Sequence, residues 1–274
     1  MAFALGWLKR HNTLDEAIEL HCQMPSPTVA TYTALIKACS KAGEPGKALG
    51  FFDEMVAVGV RPTVFTYTAL ITACGKAGEP GKALGFFDEM AAARVRPTVV
   101  TYTALINACG DAGELGKALG VFDAMRAAGV RPNVHTYNAL ITACGKAREL
   151  GKALGFFDEM VAARVKPNVV TYTALIMACG DAGELGKALG VFDAMRAAGV
   201  RPNVVTYTAL ITACGIAEDL LKGTRFFEEM CNAEIQPTAV TYSSLMELQE
   251  ALRSLRLPRW CRGGVCSICR PGLL

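Results

Sequence analysis

Two sets of side chains in this sequence could do chemistry. The first is eleven cysteines. Cys39, Cys74, Cys109, Cys144, Cys179 and Cys214 recur every 35 residues, each in the context ALIxAC. Equivalent positions in stacked repeats lie about one repeat spacing apart, and the ~7 Å limit on bridged Cα atoms argues against pairing. The spacing therefore predicts small, reduced core residues and a reducing compartment, not a redox centre. Cys261, Cys266 and Cys269, in CRGGVCSIC, come closest to metal-ligand spacing. Three thiolates are one short of a closed zinc site, so the expectation is an incidental tail with no metal and no cofactor. The second set does hydrogen-bonding chemistry. Residues 136–141 read TYNALI where five other places read TYTALI, which puts Asn138 where its counterparts carry Thr.

The elements that position both sets follow from a period. Thr-Tyr recurs at 31, 66, 101, 136, 171, 206 and 241 without slippage. Six complete units result, 29–63, 64–98, 99–133, 134–168, 169–203 and 204–238. A fixed period of this size signals a solenoid, in which each unit buries its apolar face only against its neighbours. Each unit divides into two helices. In the second, Gly78 stands where a left-handed residue would end the first helix, and Pro80 follows at the first turn of the next, where its missing N–H is harmless. Thr or Asn at position thirty-five is an N-cap for the following first helix. Leu84, Phe87 and Met90 supply an apolar stripe on the second helix, with Asp88 and Glu89 on its outer side. Gly81 and Gly85, within a helix, predict close approach of a neighbouring helix. Residues 1–28 read as a degenerate, truncated repeat, 239–255 as a capping helix, and 256–274 as a disordered cysteine-containing tail. That truncated front fits a fragment or trimmed form of a longer array.

Copies within one chain form an internal alignment. Positions three, four, seven, eight, ten and eleven read T, Y, L, I, A and C in all six units, so they build the fold. The positions that change are two (Ala30, Phe65, Val100, His135, Val170, Val205), five (Thr33, Thr68, Thr103, Asn138, Thr173, Thr208), nine (Lys37, Thr72, Asn107, Thr142, Met177, Thr212) and thirteen (Lys41, Lys76, Asp111, Lys146, Asp181, Ile216). At 100° per residue the four fall within ~80° of one another, a single stripe on the first helix. Through position twelve the first helices contain no Asp or Glu, as a surface meeting phosphates requires. Lys41, Lys76 and Lys146 are the candidates for phosphate contact, and Asp111 and Asp181 oppose them at the same position. A solvated helix face would also show Thr and Lys. An apolar residue at position two in five of six units is wasteful in water, however, and useful for flanking a flat base.

Composition narrows the partner less than the pattern does. With 28 basic against 25 acidic side chains, net charge is +3, and a polyanion would have to be held by local placement of charge. No apolar run approaches the ~18 residues of a membrane span. The start, MAFALGWLKRHNTLDEAIEL, fits neither a secretory signal nor an Arg-rich, acid-poor transit peptide.

Taken together, TYTALIxACxKAGxxxxALxxFxxM followed by GVxP resembles the pentatricopeptide repeat family, in its pure 35-residue form, over residues 29–242. The resemblance implies an all-α, right-handed α-solenoid of helix-turn-helix repeats that binds single-stranded RNA, one nucleotide per repeat, its amino-terminal repeat toward the 5′ end. It further implies that positions five and thirty-five read the base while position two wedges it. The pairs are then Thr33 with Thr63, Thr68 with Thr98, Thr103 with Asn133, Asn138 with Asn168, Thr173 with Asn203 and Thr208 with Thr238. Thr with Asn resembles an adenine reader, Asn with Asn a pyrimidine reader, and Thr with Thr leans toward a purine. Hence the implied site is 5′-purine, purine, adenine, pyrimidine, adenine, purine.

The same resemblance frames what to expect beside the repeats. Some relatives end in a deaminase-like tail with His-x-Glu and Cys-x-x-Cys around zinc. None of His11, His21 or His135 is followed two residues later by Glu, and fewer than forty residues follow the last Thr-Tyr. No catalysis is expected. The expected partners are single-stranded RNA and RNA-processing proteins, with no membrane or small-molecule substrate and a monomeric state. The expected setting is RNA processing, stability or translation in a mitochondrion or chloroplast. The alternative is a tetratricopeptide-like scaffold gripping a peptide, but those repeats have a 34-residue period and do not confine variation to positions two, five and thirty-five.

Overall fold

A computed structural model describes residues 14–24 and 26–254, and every regular element among them is a helix. After α1 (Leu14–Cys22) come α2 (Val29–Ala42), α3 (Pro45–Ala57), α4 (Val64–Lys76), α5 (Pro80–Ala92), α6 (Val99–Asp111), α7 (Leu115–Ala127), α8 (Val134–Lys146) and α9 (Leu150–Ala162). Then follow α10 (Val169–Asp181), α11 (Leu185–Ala197), α12 (Val204–Ile216), α13 (Leu220–Asn232) and α14 (Ala239–Ser254). The chain divides into two compact units, Met1–Ala174 and Leu175–Leu274. In the first, α2/α3, α4/α5, α6/α7 and α8/α9 are hairpins, and α2, α4, α6 and α8 pack in succession. In the second, α12 and α13 form a hairpin and α14 packs on α12.

Local chemistry explains the boundaries. Position thirty-five caps each first helix in a reciprocal box with the threonine three residues on. Thr28, Thr63 and Thr98 pair with Thr31, Thr66 and Thr101, and Asn133 and Asn203 with Thr136 and Thr206. Gly78 lies just past the end of α4 with φ 71°, in the left-handed region that glycine enters without strain. Arg148 and Glu218 hold the equivalent place with φ 56°, where a side chain costs roughly 1 kcal/mol or more. Pro45 and Pro80 open α3 and α5.

Second helices bury Met90 and its counterparts completely, along with Ala83, while Leu84 and Phe87 are half-buried against the core and Asp88 and Glu89 face outward. An aromatic ladder joins successive repeats. Phe52, Phe87, Phe122 and Phe157 each meet the tyrosine of the next repeat, Tyr67, Tyr102, Tyr137 and Tyr172, edge-on with centroids 5.8, 5.4, 6.2 and 5.7 Å apart. Such pairs add about 0.5 to 1.5 kcal/mol beyond their burial. Four of the tyrosine hydroxyls also donate to a second-helix carboxylate of their own repeat: Tyr32 to Glu54 (2.9 Å), Tyr67 to Glu89 (3.2 Å), Tyr137 to Glu159 (3.1 Å) and Tyr207 to Glu229 (2.9 Å). Burial first, and then the Glu159 carboxylate, pushes the Tyr137 phenol up to about 12. Because that value lies above the ordinary 10, its contribution to stability is complete below pH 10 and is lost as pH climbs through about 12.

One expectation is overturned. A Cβ added at Gly81 or Gly85 would meet nothing within 4 Å, so neither marks a close helix approach. The close approach lies in the last turn of the first helices instead. A Cβ on Gly75 would sit 2.7 Å from the Cβ of Ala108, one on Gly110 2.7 Å from that of Ala143, and one on Gly180 2.9 Å from that of Ala213. First helices are the inner partners of the packing, whereas Gly81 and Gly85 are exposed. The two classes of glycine predict opposite outcomes. Gly85→Ala should raise stability by up to about 1 kcal/mol, and Gly110→Ala should lower it by about 1 to 3 kcal/mol through overpacking. Urea unfolding midpoints measure both, and a shift of the same sign in the two variants would contradict the assignment.

Candidate nucleic-acid interface

Position two stands out at the start of each first helix. Phe65 is 74% exposed, and Ala30, Val100, His135, Val170 and Val205 are also solvent-facing, so these side chains are unused by the core. Position five is different. Thr103, Asn138 and Thr173 are buried, and Thr33, Thr68 and Thr208 half-buried. The stripe inferred from helical angle is therefore uneven, with positions two and thirteen open and position five recessed by the neighbouring helix.

The recess has a cause. The position-five hydroxyl bonds to the position-three threonine of the next repeat: Thr33 to Thr66 (2.9 Å), Thr68 to Thr101 (2.9 Å), Thr103 to Thr136 (2.9 Å) and Thr208 to Thr241 (2.8 Å). That threonine is also the capping partner of position thirty-five, so positions five and thirty-five converge on a shared hydroxyl. In the fourth repeat the convergence becomes contact. Thr171 donates to Asn138 Oδ1 at 2.6 Å, and Asn138 Nδ2 donates to Asn168 Oδ1 at 3.3 Å. Sequence reasoning assigned the invariant position-three threonine to the fold alone; its full burial at 66, 101, 136, 171, 206 and 241 agrees, but it also aims the variable pair.

Capping separates Asn from Thr at position thirty-five. Asn133 Oδ1 accepts from Thr136 N at 3.1 Å and Oγ1 at 3.2 Å, which leaves its Nδ2 as a donor toward the recess. Thr63 and Thr98 spend their one hydroxyl within the cap, at 3.3 and 3.4 Å from the capping threonine. An Asn here can cap and still present two N–H groups, and a Thr cannot.

Of the lysines, Lys41 is exposed. Lys76 donates to the carbonyl of Ser40 at 3.1 Å, and Lys146 pairs with Asp111 at 2.7 Å across neighbouring repeats. Two of the three candidate phosphate cations are thus engaged in the free chain. Asp111, which opposed the field in the sequence, acts as the counter-ion of Lys146.

These parts meet at an open recess of about 430 Å³. Val100, His135, Thr103 and Asn133 line it from the starts of α6 and α8, Asn107 lines it one turn along α6 from Thr103, and Lys76 and Asp111 line it from the ends of α4 and α6. It presents one apolar and one imidazole flank, hydrogen-bonding groups and a rim of mixed charge, an arrangement suited to a planar heterocycle.

The sequence profile of the pentacotripeptide-repeat region of PRORP matches residues 102–254, and that of the PPR repeat family matches 27–76 and 62–111. The chain belongs to the pentatricopeptide repeat family. Among solved structures, PPR10 from maize is similar, with 29% identity, 90% of this chain and 38% of that chain covered, and a TM-score of 0.64. PPR10 in complex with an 18-nt psaJ RNA element has 28% identity, with 92% and 43% covered and a TM-score of 0.58. The PPR domain of Arabidopsis thaliana protein-only RNase P 1, in complex with tRNA, shares the fold at 20% identity, with 66% and 95% covered and a TM-score of 0.54. The pentatricopeptide chain thus spans 38% to 43% of the length of PPR10 in these two structures. No curated protein sequence matches it.

The six periodic cysteines are all buried and free. Burial is the first cause that raises their thiols, to about 11 at Cys144 and Cys214. Cys261, Cys266 and Cys269 lie outside the described residues, as does the tail that carries them. Among the described residues, no group of three His, Cys, Asp or Glu is placed to hold a metal, and no helix is long and apolar enough to cross a membrane. Exposed Cys22 and Cys231 should react with iodoacetamide at pH 8 at least about tenfold faster than the six buried thiols, which should label only on unfolding. Peptide mass spectrometry checks this, and rapid native labelling of Cys109 would refute the inert-core assignment.

Proposed function

We propose that this pentatricopeptide chain binds single-stranded RNA sequence-selectively, one nucleotide per repeat, at a site reading 5′-purine, purine, adenine, pyrimidine, adenine, purine. The observation that carries the reading is the recess in the third repeat, which exposed Val100 and His135 line together with the pair Thr103 and Asn133. Bases stack on or between such side chains irrespective of sequence, so the polar pair between them is left to discriminate. The RNA bound to PPR10 in its complex supports the same class of ligand for a chain 28% identical to it.

Hydrogen-bond supply explains the proposed assignments. In the third repeat the Thr103 hydroxyl is bonded to Thr136, and the Asn133 amide is the free donor in a space left open by a short threonine. A purine fits that space. In the fourth, longer Asn138 fills it, and each of the two amides keeps an N–H for a smaller base. Thr63 and Thr98 have no comparable free donor, so the first two letters are set more by size than by hydrogen bonding. Base wedging falls to Ala30, Phe65, Val100, His135, Val170 and Val205. Phosphate contact falls to Lys41, Lys76 and Lys146, the last in competition with Asp111. Binding to a transcript in a mitochondrion or chloroplast, with effects on its processing, stability or translation, fits this chemistry better than bond-making does.

A gel shift at fixed, stated salt should show the purified chain binding an RNA containing GGACAG and not its complement. Asn138→Thr should move the preferred fourth base from pyrimidine toward adenine, by about 1 to 3 kcal/mol of discrimination. An unchanged preference in a binding selection would reject the assignment.

A further inference from the structure

Residues 99–133 and 169–203 are identical except at position nine, where the third repeat has Asn107 and the fifth has Met177. The two repeats carry the same wedge residue and the same reading pair, so within the repeat itself this one side chain is the only difference, and the following wall residue is His135 for the third repeat and Val205 for the fifth. Both side chains are solvent-facing, Met177 at 49% exposure. Asn107 lines the recess of its repeat, and its amide has no hydrogen-bond partner among the described residues.

Its place along the helix indicates what it would meet. Thr103, Asn107 and Asp111 are successive groups four residues apart, hence separated by ~6 Å of axial rise each. The wedge and reading residues of the recess, Val100, His135, Thr103 and Asn133, belong to the starts of packed first helices, and Lys76 and Asp111 to the ends of such helices. A nucleotide with its base at the helix starts and its phosphate at the helix ends has its ribose in the middle, opposite position nine. Resting on the RNA-binding reading, we propose that Asn107 hydrogen-bonds the ribose 2′-hydroxyl of its nucleotide, and that Met177 makes the fifth repeat indifferent to that hydroxyl. The 2′-hydroxyl both donates and accepts, and a primary amide offers both complements, whereas a thioether offers only a weak acceptor. Sugar discrimination is therefore local to particular repeats and independent of the base code. Lys37, Thr72, Thr142 and Thr212, at the same position, carry polar groups also, which leaves Met177 as the exception among the six units.

The test uses the full chain and an RNA containing GGACAG, in which either adenosine is replaced by 2′-deoxyadenosine. Substitution at the third nucleotide should weaken binding about threefold to tenfold, the range for loss of one hydrogen bond. At the fifth nucleotide it should change affinity by less than about 1.5-fold. Asn107→Met should abolish the penalty at the third nucleotide, and Met177→Asn should create one at the fifth, with base preferences unchanged in both. Equal penalties at the two adenosines, or a third-nucleotide penalty that survives Asn107→Met, would overturn the inference alone. Failure of the chain to bind the all-ribose strand would overturn the RNA-binding reading and this inference with it.

Discussion

Everything on the reading face depends on how closely one first helix can lie against the next. Glycine at position twelve removes the Cβ that would otherwise collide with the alanine at position ten of the following repeat, 2.7 Å away at Gly75 and Gly110. With the helices in contact there, the position-five hydroxyl comes within 2.9 Å of the next repeat's buried threonine at Thr68 and Thr103, and the first repeat keeps the same 2.9 Å at Thr33 with Ser40 at position twelve. A wider spacing would break that bond and leave the threonine only its partners in the cap, with the loss of about one hydrogen bond. The glycine contact and the hydroxyl contact thus hold each other in register, and between them they fix the width of the recess in which a base would lie.

The same few atoms serve folding and recognition. A capping residue is needed at the start of every first helix, and Thr and Asn both satisfy that need. They differ in what remains afterwards. Threonine has one hydroxyl, drawn into the cap, whereas asparagine caps through Oδ1 and retains its amide hydrogens. Stability is therefore nearly blind to the exchange, while the hydrogen-bonding pattern offered to a ligand changes. This separation allows position thirty-five to vary from repeat to repeat without threatening the array. Charge shows similar economy. Asp111 lowers the positive field of the open face and at once orients Lys146. Away from that face, Arg126 and Arg196 reach Glu159 and Glu229 of the following repeats, the carboxylates that also accept from Tyr137 and Tyr207.

Much of the fold was legible in the sequence because helix boundaries are local chemistry. Thr and Asn caps, Gly78 and Pro80 mark helix ends through interactions within a few residues, and the period of 35 places them in every unit. Exposure at position two was legible for a related reason, since an apolar residue that varies among copies is not held by a uniform core. Three features were not. Gly81 and Gly85 drew attention as helix-interior glycines, yet they face open solvent, and the glycines that matter sit in α4, α6 and α10 beside an alanine two residues before them. That pairing of small residues was the available signal. Burial of position five was hidden because helical angle describes one helix, and the neighbour that covers Asn138 comes 33 residues later at Thr171. The lysines looked equivalent until their partners, Ser40 and Asp111 in preceding repeats, were in view.

The sequence by itself determined that the chain is a run of capped helix pairs with an invariant packing set and a few varying positions, because caps, breakers and periodicity act over short chain distances. Only the tertiary structure decided which varying side chains are free to meet a ligand. Threonine, asparagine and lysine can each bond inward or outward, and the choice is set by a neighbouring helix whose approach is governed by close packing between residues a full repeat apart.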